Sequence, residues 1–237
     1  MDTTGAKLLP FYIVVDVSYS MSGQKIRSAN AILPAVRDAI AKNPILSDKV
    51  RIALLEFSDI ATVRMPLCDI MDPHLQLPTL APQGGTSYAA AFSQLRSEIG
   101  NDIKQLKQDG FAVHRPAVFF LSDGIPTDAE PVWRAAFADL VGDKAYPNVI
   151  PFGVDEAAPE NLRALIHPAS GEKQMKMYLM DDGAEPAGAI TAAAEILISS
   201  IVNSGHSLSR GQSGIVLPDD DDLPPGMHGY DPDDFVG

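Results

Sequence analysis

Two short apolar runs constrain the fold of this chain more than any other feature. The first is Phe11 to Val15 and the second is Pro116 to Leu121. Neither run alternates apolar with polar residues, so each predicts a strand that is buried on both faces of a sheet. Polar residues follow each run, beginning with Asp16 after the first and including Asp123 after the second. The two runs therefore predict a parallel sheet whose carboxyl edge carries polar groups.

The segments between these strands predict the rest of the sheet and its helices. Apolar residues recur at helical spacing in four segments: 26–40, 88–106, 133–140 and 190–201. Thr127 to Glu130 has the form of a capping box, which predicts the start of the third helix. Val50 to Phe57 and Ala61 to Leu67 predict a hairpin, and residues 149–154 and 176–180 predict further strands. This alternation predicts an α/β fold, a doubly wound, Rossmann-like and mostly parallel sheet with one antiparallel edge strand and helices on both faces.

Composition divides the chain into three parts. Residues 1–10 are expected to be a loose lead-in, and residues 11–204 a single domain. Residues 205–237 are rich in glycine, proline and aspartate, and the last 27 of them hold seven acidic side chains without any Lys or Arg. Such a segment cannot bury enough apolar surface to fold alone, so it is expected to be a flexible acidic tail.

Charge and cysteine content exclude several classes of function. The net charge is −13 and no basic cluster is present, so the phosphate backbone of a nucleic acid would be repelled. The apolar run Ile196 to Val202 is shorter than a bilayer requires, and no membrane span is expected. Cys68 is the single cysteine, and no basic segment followed by a long apolar run opens the chain. We therefore expect a protein of the reducing cytoplasm.

Oxygen-bearing side chains gather at the predicted carboxyl edge of the sheet. Asp16, Ser18 and Ser20 alternate after the first strand, Thr86 lies before the second helix, and Asp123 follows a central strand. Hard oxygen ligands suit Mg²⁺, or Ca²⁺ or Mn²⁺, and not Zn²⁺. The set contributes at most two negative charges. A bound divalent ion would therefore stay electrophilic and accept an anionic oxygen from outside.

These residues allow two other interpretations. Gly84 to Ser87 before a helix resembles a phosphate cradle, but no lysine follows and the nearby carboxylates would repel phosphate. The sequence lacks a G-x-S-x-G elbow, a Cys/His pair and a D-x-D motif after the first strand, which argues against an enzyme. A bound metal could still activate water, so a metal-dependent hydrolase or phosphatase that uses the same acidic crevice remains the alternative.

The three motifs together resemble those of von Willebrand factor type A domains, which carry a metal-ion-dependent adhesion site. That site combines a D-x-S-x-S run after the first strand, a threonine before a central helix and an aspartate after a central strand. The matching residues here are Asp16, Ser18, Ser20, Thr86 and Asp123. The resemblance covers roughly residues 8–204. It implies that the hydroxyls coordinate the cation directly, that the carboxylates do so directly or through water, and that a partner's Asp or Glu completes the site.

Longer runs resemble the bacterial tellurium-resistance-associated TerY branch of this family. The runs are Leu9–Tyr12, Ser20–Gly23, Gly84–Ser87 and Asp123–Asp128. This resemblance implies a cytoplasmic protein-interaction module in a stress-response or signalling complex, with a protein kinase or phosphatase of the same operon as a possible partner. Tyr19 departs from the family, where many members have glycine, and its side chain would narrow the approach to the metal.

The acidic tail raises one hypothesis about this site. An extended chain spans at most about 3.3 Å per residue, so residues 205–237 are long enough to fold back over the domain. A tail carboxylate could then enter its own metal site, or the site of a neighbouring molecule.

Overall fold

A computed structural model describes residues 6–171, 174–212 and 214–234, so predictions that concern residues 1–5, 172–173, 213 and 235–237 lie outside it. Eight strands and five α-helices are formed within the described residues. The strands are β1 (Lys7–Asp16), β2 (Val50–Phe57), β3 (Ala61–Cys68), β4 (Ala112–Val113), β5 (Ala117–Ser122), β6 (Asn148–Gly153), β7 (Met177–Met180) and β8 (Met227–Tyr230). The helices are α1 (Gln24–Ala41), α2 (Tyr88–Gln108), α3 (Glu130–Val141), α4 (Pro159–Arg163) and α5 (Pro186–Ser209).

The strands form one mixed sheet in the order β3-β2-β1-β5-β6-β7-β8, and β4 pairs with the start of β1. The inner neighbours are all parallel. β3 pairs antiparallel with β2, which confirms the predicted antiparallel edge strand. A second antiparallel strand, β8, lies at the opposite edge against β7, and the sequence did not predict it.

The two apolar runs form the centre of this sheet. β1 and β5 are parallel neighbours, with Phe11 opposite Ala117 and Val15 opposite Leu121. All residues of β1 except Lys7 are buried, and β5 is buried throughout. Because the two strands run in the same direction, their carboxyl ends meet at one edge, as the sequence predicted.

Side chains that alternate along β5 contact helices on both faces of the sheet. On one face the Phe120 ring lies 5.0 Å from Tyr88 and 5.3 Å from Phe92, both on α2. On the other face Phe119 shares a small cavity with Ile32 of α1 and Ala193 of α5. The helices therefore cover both faces, which explains why the central strands contain no polar face.

The longest helix corrects one argument drawn from the sequence. The run Ile196 to Val202 belongs to α5, which has 24 residues and alone among the described helices is long and apolar enough to cross a membrane. The length argument against a membrane span was therefore wrong. In the described part of the chain α5 packs against α1, and 61% of its most apolar window is buried in the protein.

Within residues 6–171, 174–212 and 214–234, secondary structure extends further towards both ends than the sequence predicted. β1 begins at Lys7 inside the expected lead-in, and α5 continues to Ser209 inside the expected flexible tail. Later in the tail, β8 pairs with β7, and its residue Met227 is buried. The reason is tertiary: the open edge of β7 offers unpaired backbone groups, and the tail satisfies them.

Candidate metal centre

The five residues predicted to bind a cation lie together at the carboxyl edge of the sheet. Asp16 ends β1, Ser18 and Ser20 follow it, Thr86 precedes α2, and Asp123 follows β5. Ser20 is exposed, whereas the other four residues are buried. The result is a buried polar cluster in which Ser20 is the member exposed to solvent.

Asp16 is the most enclosed carboxylate of this group. Its Oδ1 accepts a hydrogen bond from the backbone N–H of Ser18 at 2.8 Å, and its Oδ2 accepts one from the hydroxyl of Ser122, also at 2.8 Å. Burial raises the pKa of Asp16 to about 6, the bonds from Ser18 and Ser122 oppose this, and the carboxylate of Asp123 adds to it. A nearby cation would favour the ionised form of this group.

A chain of hydroxyl groups connects the first motif with Asp123. The Oγ atoms of Ser18 and Ser20 are 2.8 Å apart, and the Ser20 hydroxyl donates to Oδ1 of Asp123 at 2.7 Å. Two segments separated by 103 positions in the sequence therefore share one hydrogen-bonded cluster.

Thr86 is held beside the same cluster by the loop after β5. Its carbonyl accepts hydrogen bonds from the backbone N–H of Thr127 at 2.8 Å and from the Thr127 hydroxyl at 3.1 Å. Its own Oγ1 lies 3.9 Å from the position that a Cβ on Gly124 would occupy. The Thr86 hydroxyl thus lies next to the residue that follows Asp123.

The loop before Thr86 contacts the loop after β1 and the turn after β2. The backbone N–H of Tyr19 donates to the carbonyl of Gly84 at 3.1 Å, and the N–H of Gly85 donates to Oδ1 of Asp59 at 3.0 Å. Gly84 has φ of 61°, and a Cβ there would lie 2.4 Å from Oδ2 of Asp59. Glycine is therefore required at this position both for its backbone conformation and for the close approach of Asp59.

The predicted capping box was wrong, and its residues serve the site instead. Helix α3 begins after Ala129, without a side-chain cap. Asp128 accepts hydrogen bonds from the Ser87 hydroxyl at 2.9 Å and from the backbone N–H of Ala89 at 2.9 Å. Asp128 therefore caps α2, because two free donors at the start of that helix lie within its reach and the loop after β5 already packs there.

Sequence reasoning missed Lys25, the cation that contacts this cluster. Its Nζ forms ion pairs with Oδ2 of Asp123 and, at 2.6 Å, with Oδ2 of Asp155. Burial lowers the pKa of Lys25, but the carboxylates of Asp123 and Asp155 outweigh it, and the pKa is raised. Lys25 lies in the first turn of α1, where the helix dipole disfavours a positive charge. That unfavourable position was the available signal in the sequence.

Asp155 was also missed, although it follows a central strand in the same way as Asp16 and Asp123. It comes two residues after the end of β6, at the carboxyl edge of the sheet. Its φ is 56°, a left-handed conformation that few residues other than glycine adopt. Applying the rule for strand ends to residues 149–154 would have found it.

The donor set fits a hard divalent cation. Asp16 and Asp123 supply carboxylate oxygens, and Ser18, Ser20 and Thr86 supply hydroxyls. Within residues 6–171, 174–212 and 214–234, no three His, Cys, Asp or Glu side chains form a group that could hold a metal. A cation here would therefore depend on the hydroxyls, which are oxygen ligands of the kind that Mg²⁺ and Ca²⁺ take and sulfur-binding metals do not.

The comparisons with known proteins agree with this architecture. Residues 11–125 match the family model of the von Willebrand factor type A domain, and this segment includes all five predicted ligands. This segment of the chain is therefore similar to a von Willebrand factor type A domain. A comparison with curated proteins found no match.

Solved structures show the same fold at low sequence identity. A von Willebrand factor type A protein from Catenulispora acidiphila superposes with a TM-score of 0.61 at 15% identity, over 83% of this chain and 43% of that one. The VWA domain of SpRpn10 gives a TM-score of 0.53 at 12% identity, over 78% of this chain and 94% of that one. This chain thus spans less than half of the first protein and nearly all of the second.

A third structure is of a protein that contains a metal. Proximal thread matrix protein 1 from the mussel byssus is described with a zinc-occupied MIDAS motif. It superposes with a TM-score of 0.52 at 16% identity, over 83% of this chain and 47% of that one. At this identity the likeness establishes only that this chain has the fold of the von Willebrand factor type A domain. The case for a metal in this chain rests on the residues of this chain.

Proposed function

We propose that this von Willebrand factor type A domain is a divalent-cation-dependent protein-interaction module. Mg²⁺ would be held by the metal-ion-dependent adhesion site made of Asp16, Ser18, Ser20, Thr86 and Asp123. A carboxylate from an Asp or Glu of a partner protein would complete the site. The observation that carries this proposal is the hydrogen-bonded cluster in which Ser20, the exposed member, joins the buried Ser18 to Asp123.

The charge of the cluster supports a ligand from outside. Two carboxylates belong to the predicted ligand set, and one of them, Asp123, also contacts the ammonium group of Lys25. The side chains that surround a divalent ion would therefore not saturate its charge. When bound, the cation would supply an electrophilic centre beside the exposed residue Ser20, and an anionic oxygen is the group that such a centre prefers.

The family and its structural neighbours support the general class of this function. Von Willebrand factor type A domains generally mediate interactions between proteins, and some carry a metal in this motif. The mussel protein holds zinc. The ligand set here consists of oxygens without His or Cys, which favours Mg²⁺, with Ca²⁺ or Mn²⁺ as the other hard cations it could take.

For the cellular context, we propose a cytoplasmic bacterial stress-response or signalling complex of the tellurium-resistance type. Support comes from the TerY-like runs at Leu9–Tyr12, Ser20–Gly23, Gly84–Ser87 and Asp123–Asp128. The partner in this proposal is a protein, such as a kinase or phosphatase of the same operon. The charge of −13 argues against nucleic acid, and the packing of α5 against α1 within the protein argues against a membrane.

We propose further that the module is not an enzyme. Domains of this family are mostly interaction modules. The purified chain should therefore release no phosphate from aryl phosphates or phosphopeptides in Mg²⁺ or Mn²⁺. Phosphate release by the wild type that is absent from Thr86→Val would contradict the proposal that the module is not an enzyme. It would favour a metal-dependent phosphatase.

Affinity capture from the native host tests the proposed function. The wild-type chain, Thr86→Val and the control Ile45→Ser would be immobilised, and bound proteins eluted with EDTA. Thr86→Val removes a buried hydroxyl and keeps the carbonyl that Thr127 contacts. We expect EDTA to release a partner from the wild type and from Ile45→Ser, and none from Thr86→Val. The same proteins on all three baits, retained in EDTA, would contradict the proposal.

A further inference from the structure

The largest exposed apolar side chains concentrate at the candidate metal centre. In the described part of the chain, the exposed large hydrophobic residues are Tyr19 (69%), Ile60 (66%), Ile125 (62%), Ile45 (58%), Val132 (55%) and Val216 (37%). The three most exposed, Tyr19, Ile60 and Ile125, all lie in loops at the carboxyl edge of the sheet, and we call them the apolar rim. Single exposed apolar residues are common on protein surfaces, so the position of these three is the informative feature.

Backbone hydrogen bonds join the loops that carry the apolar rim. Tyr19 lies between Ser18 and Ser20, and its N–H donates to Gly84 at 3.1 Å. Gly85 in turn donates to the carboxylate of Asp59, the neighbour of Ile60, at 3.0 Å. Ile60 is held by the bond from the Ser58 N–H to its carbonyl at 2.8 Å.

Ile125 belongs to the same connected surface. It comes two residues after Asp123, and Gly124 between them lies beside Thr86. The Thr127 N–H fixes this loop by donating to the Thr86 carbonyl at 2.8 Å. The apolar rim therefore comes from three separate segments of the chain, each of which carries or neighbours the predicted metal ligands.

The charges around the candidate metal centre select among acidic ligands. Asp59, next to Ile60, and Asp155, in the loop after β6, are exposed, and Asp16 and Asp123 are buried. A single carboxylate can contact the cation, whereas a run of acidic residues would place its other charges against these aspartates. The tail of the chain, with four consecutive aspartates at 219–222, is such a run and is poorly matched to the site.

We infer, on the basis of the function proposed above, that the partner presents one Asp or Glu flanked by bulky apolar side chains. The carboxylate would contact the cation, and the flanking side chains would cover Tyr19, Ile60 and Ile125. This division matches the usual anatomy of interfaces, in which desolvated aromatic and aliphatic contacts carry most of the affinity. The occupant is a segment of another protein, not the acidic tail of this chain.

Selection from a random seven-residue peptide library displayed on phage tests the inference. Four baits would be used in Mg²⁺: the wild type, Thr86→Val, the rim variant Tyr19→Ser/Ile60→Ser/Ile125→Ser, and the matched control Ile45→Ser/Val132→Ser. All substituted side chains of the rim and control variants are exposed, so thermal unfolding should be the same for both.

The wild type and the control should enrich peptides with one acidic residue flanked by apolar residues. The rim variant should still enrich an acidic residue but lose the preference at the flanks, and it should bind the leading wild-type peptide roughly tenfold more weakly or worse. Thr86→Val should enrich neither. This pattern would separate the contribution of the apolar rim from that of the cation.

Two kinds of result would overturn the inference. If the wild type enriches acidic residues without apolar flanks, or if the rim variant keeps the same flanks, the apolar rim does not contact the ligand, although the proposed function stands. If acidic residues are not enriched and EDTA changes nothing, the proposed function itself fails. Self-association of the wild type in Mg²⁺ that the rim variant loses would assign the surface to a second copy and exclude the partner inferred here.

Discussion

Two lysines in this protein each contact a pair of aspartates, but in different surroundings. Lys25 at the carboxyl edge contacts Asp123, whose side chain is completely buried, and Asp155. Lys176 at the β7 edge contacts Asp220 at 2.9 Å and Asp231 at 3.8 Å. The Asp220 side chain is 61% exposed. The same types of residue thus form a partly buried cluster in one place and a solvated one in the other.

The difference shows that burial, not acidity, marks the candidate site. The tail is the most acidic part of the chain, yet water solvates most of its carboxylates, and their ion pairs with Lys176 are worth little. At the carboxyl edge, Asp16 and Asp123 have lost their water and depend on hydroxyls, backbone N–H groups and a cation. The predictions below test this contrast.

The largest effect is expected from removing residues 214–237. The deletion removes β8 together with its buried residue Met227, exposes the edge of β7 and uncovers the buried Tyr178 of β7. We expect the free energy of unfolding to fall by about 3 kcal/mol or more, from the burial of such side chains alone. Urea denaturation measures this loss.

The same deletion should leave the affinity for Mg²⁺ unchanged, because the described part of the tail pairs with β7 and not with the predicted ligands. Calorimetric titration measures that affinity. Tighter Mg²⁺ or partner binding by the shortened chain would instead support the hypothesis that the tail enters the metal site.

A smaller effect is expected from Lys25→Met. The substitution removes the positive charge that contacts Asp123 and keeps most of the apolar length of the side chain. Because two cations would otherwise compete for the same carboxylate, Mg²⁺ affinity should rise by about tenfold. Calorimetric titration of wild type and variant would measure the change. A weaker affinity would mean that Lys25 orients Asp123 for the metal.

The smallest effect is expected from Lys176→Met, the matched control for Lys25→Met. Its ion pairs are mostly exposed, so the free energy of unfolding should change by less than about 1 kcal/mol. Mg²⁺ affinity should not change. A loss of stability as large as that of the tail deletion would show that the two lysine clusters are energetically alike, against the contrast drawn here.

Much of the fold could be predicted because the relevant signals are local. The apolar runs at 11–15 and 116–121 directly predict buried strands. The helices are predicted by apolar residues that recur every three or four positions. The five candidate ligands could be predicted to lie together because they follow strands or precede a helix, and those positions meet at one edge of a parallel sheet.

The remaining features depend on contacts between distant segments. β8 has only four residues in a stretch rich in glycine, proline and aspartate, and it becomes a strand because the β7 edge is open to it. Lys25 stands out in the sequence only by its position in the first turn of a helix, and only the fold brings Asp123 and Asp155 to its ammonium group. Asp128 caps a helix that begins 40 positions earlier, at Tyr88.

Titration of Mg²⁺ into the wild type and Asp16→Asn tests the central claim most directly. Asparagine keeps the shape of the side chain and an oxygen that can accept the Ser18 N–H, but it removes the negative charge beneath the predicted cation. The account predicts one calorimetric site in the wild type and an affinity at least about 100-fold weaker in the variant, since even the loss of an outer-shell partner costs 10- to 100-fold. Absence of binding to the wild type, or equal binding to both proteins, would contradict it.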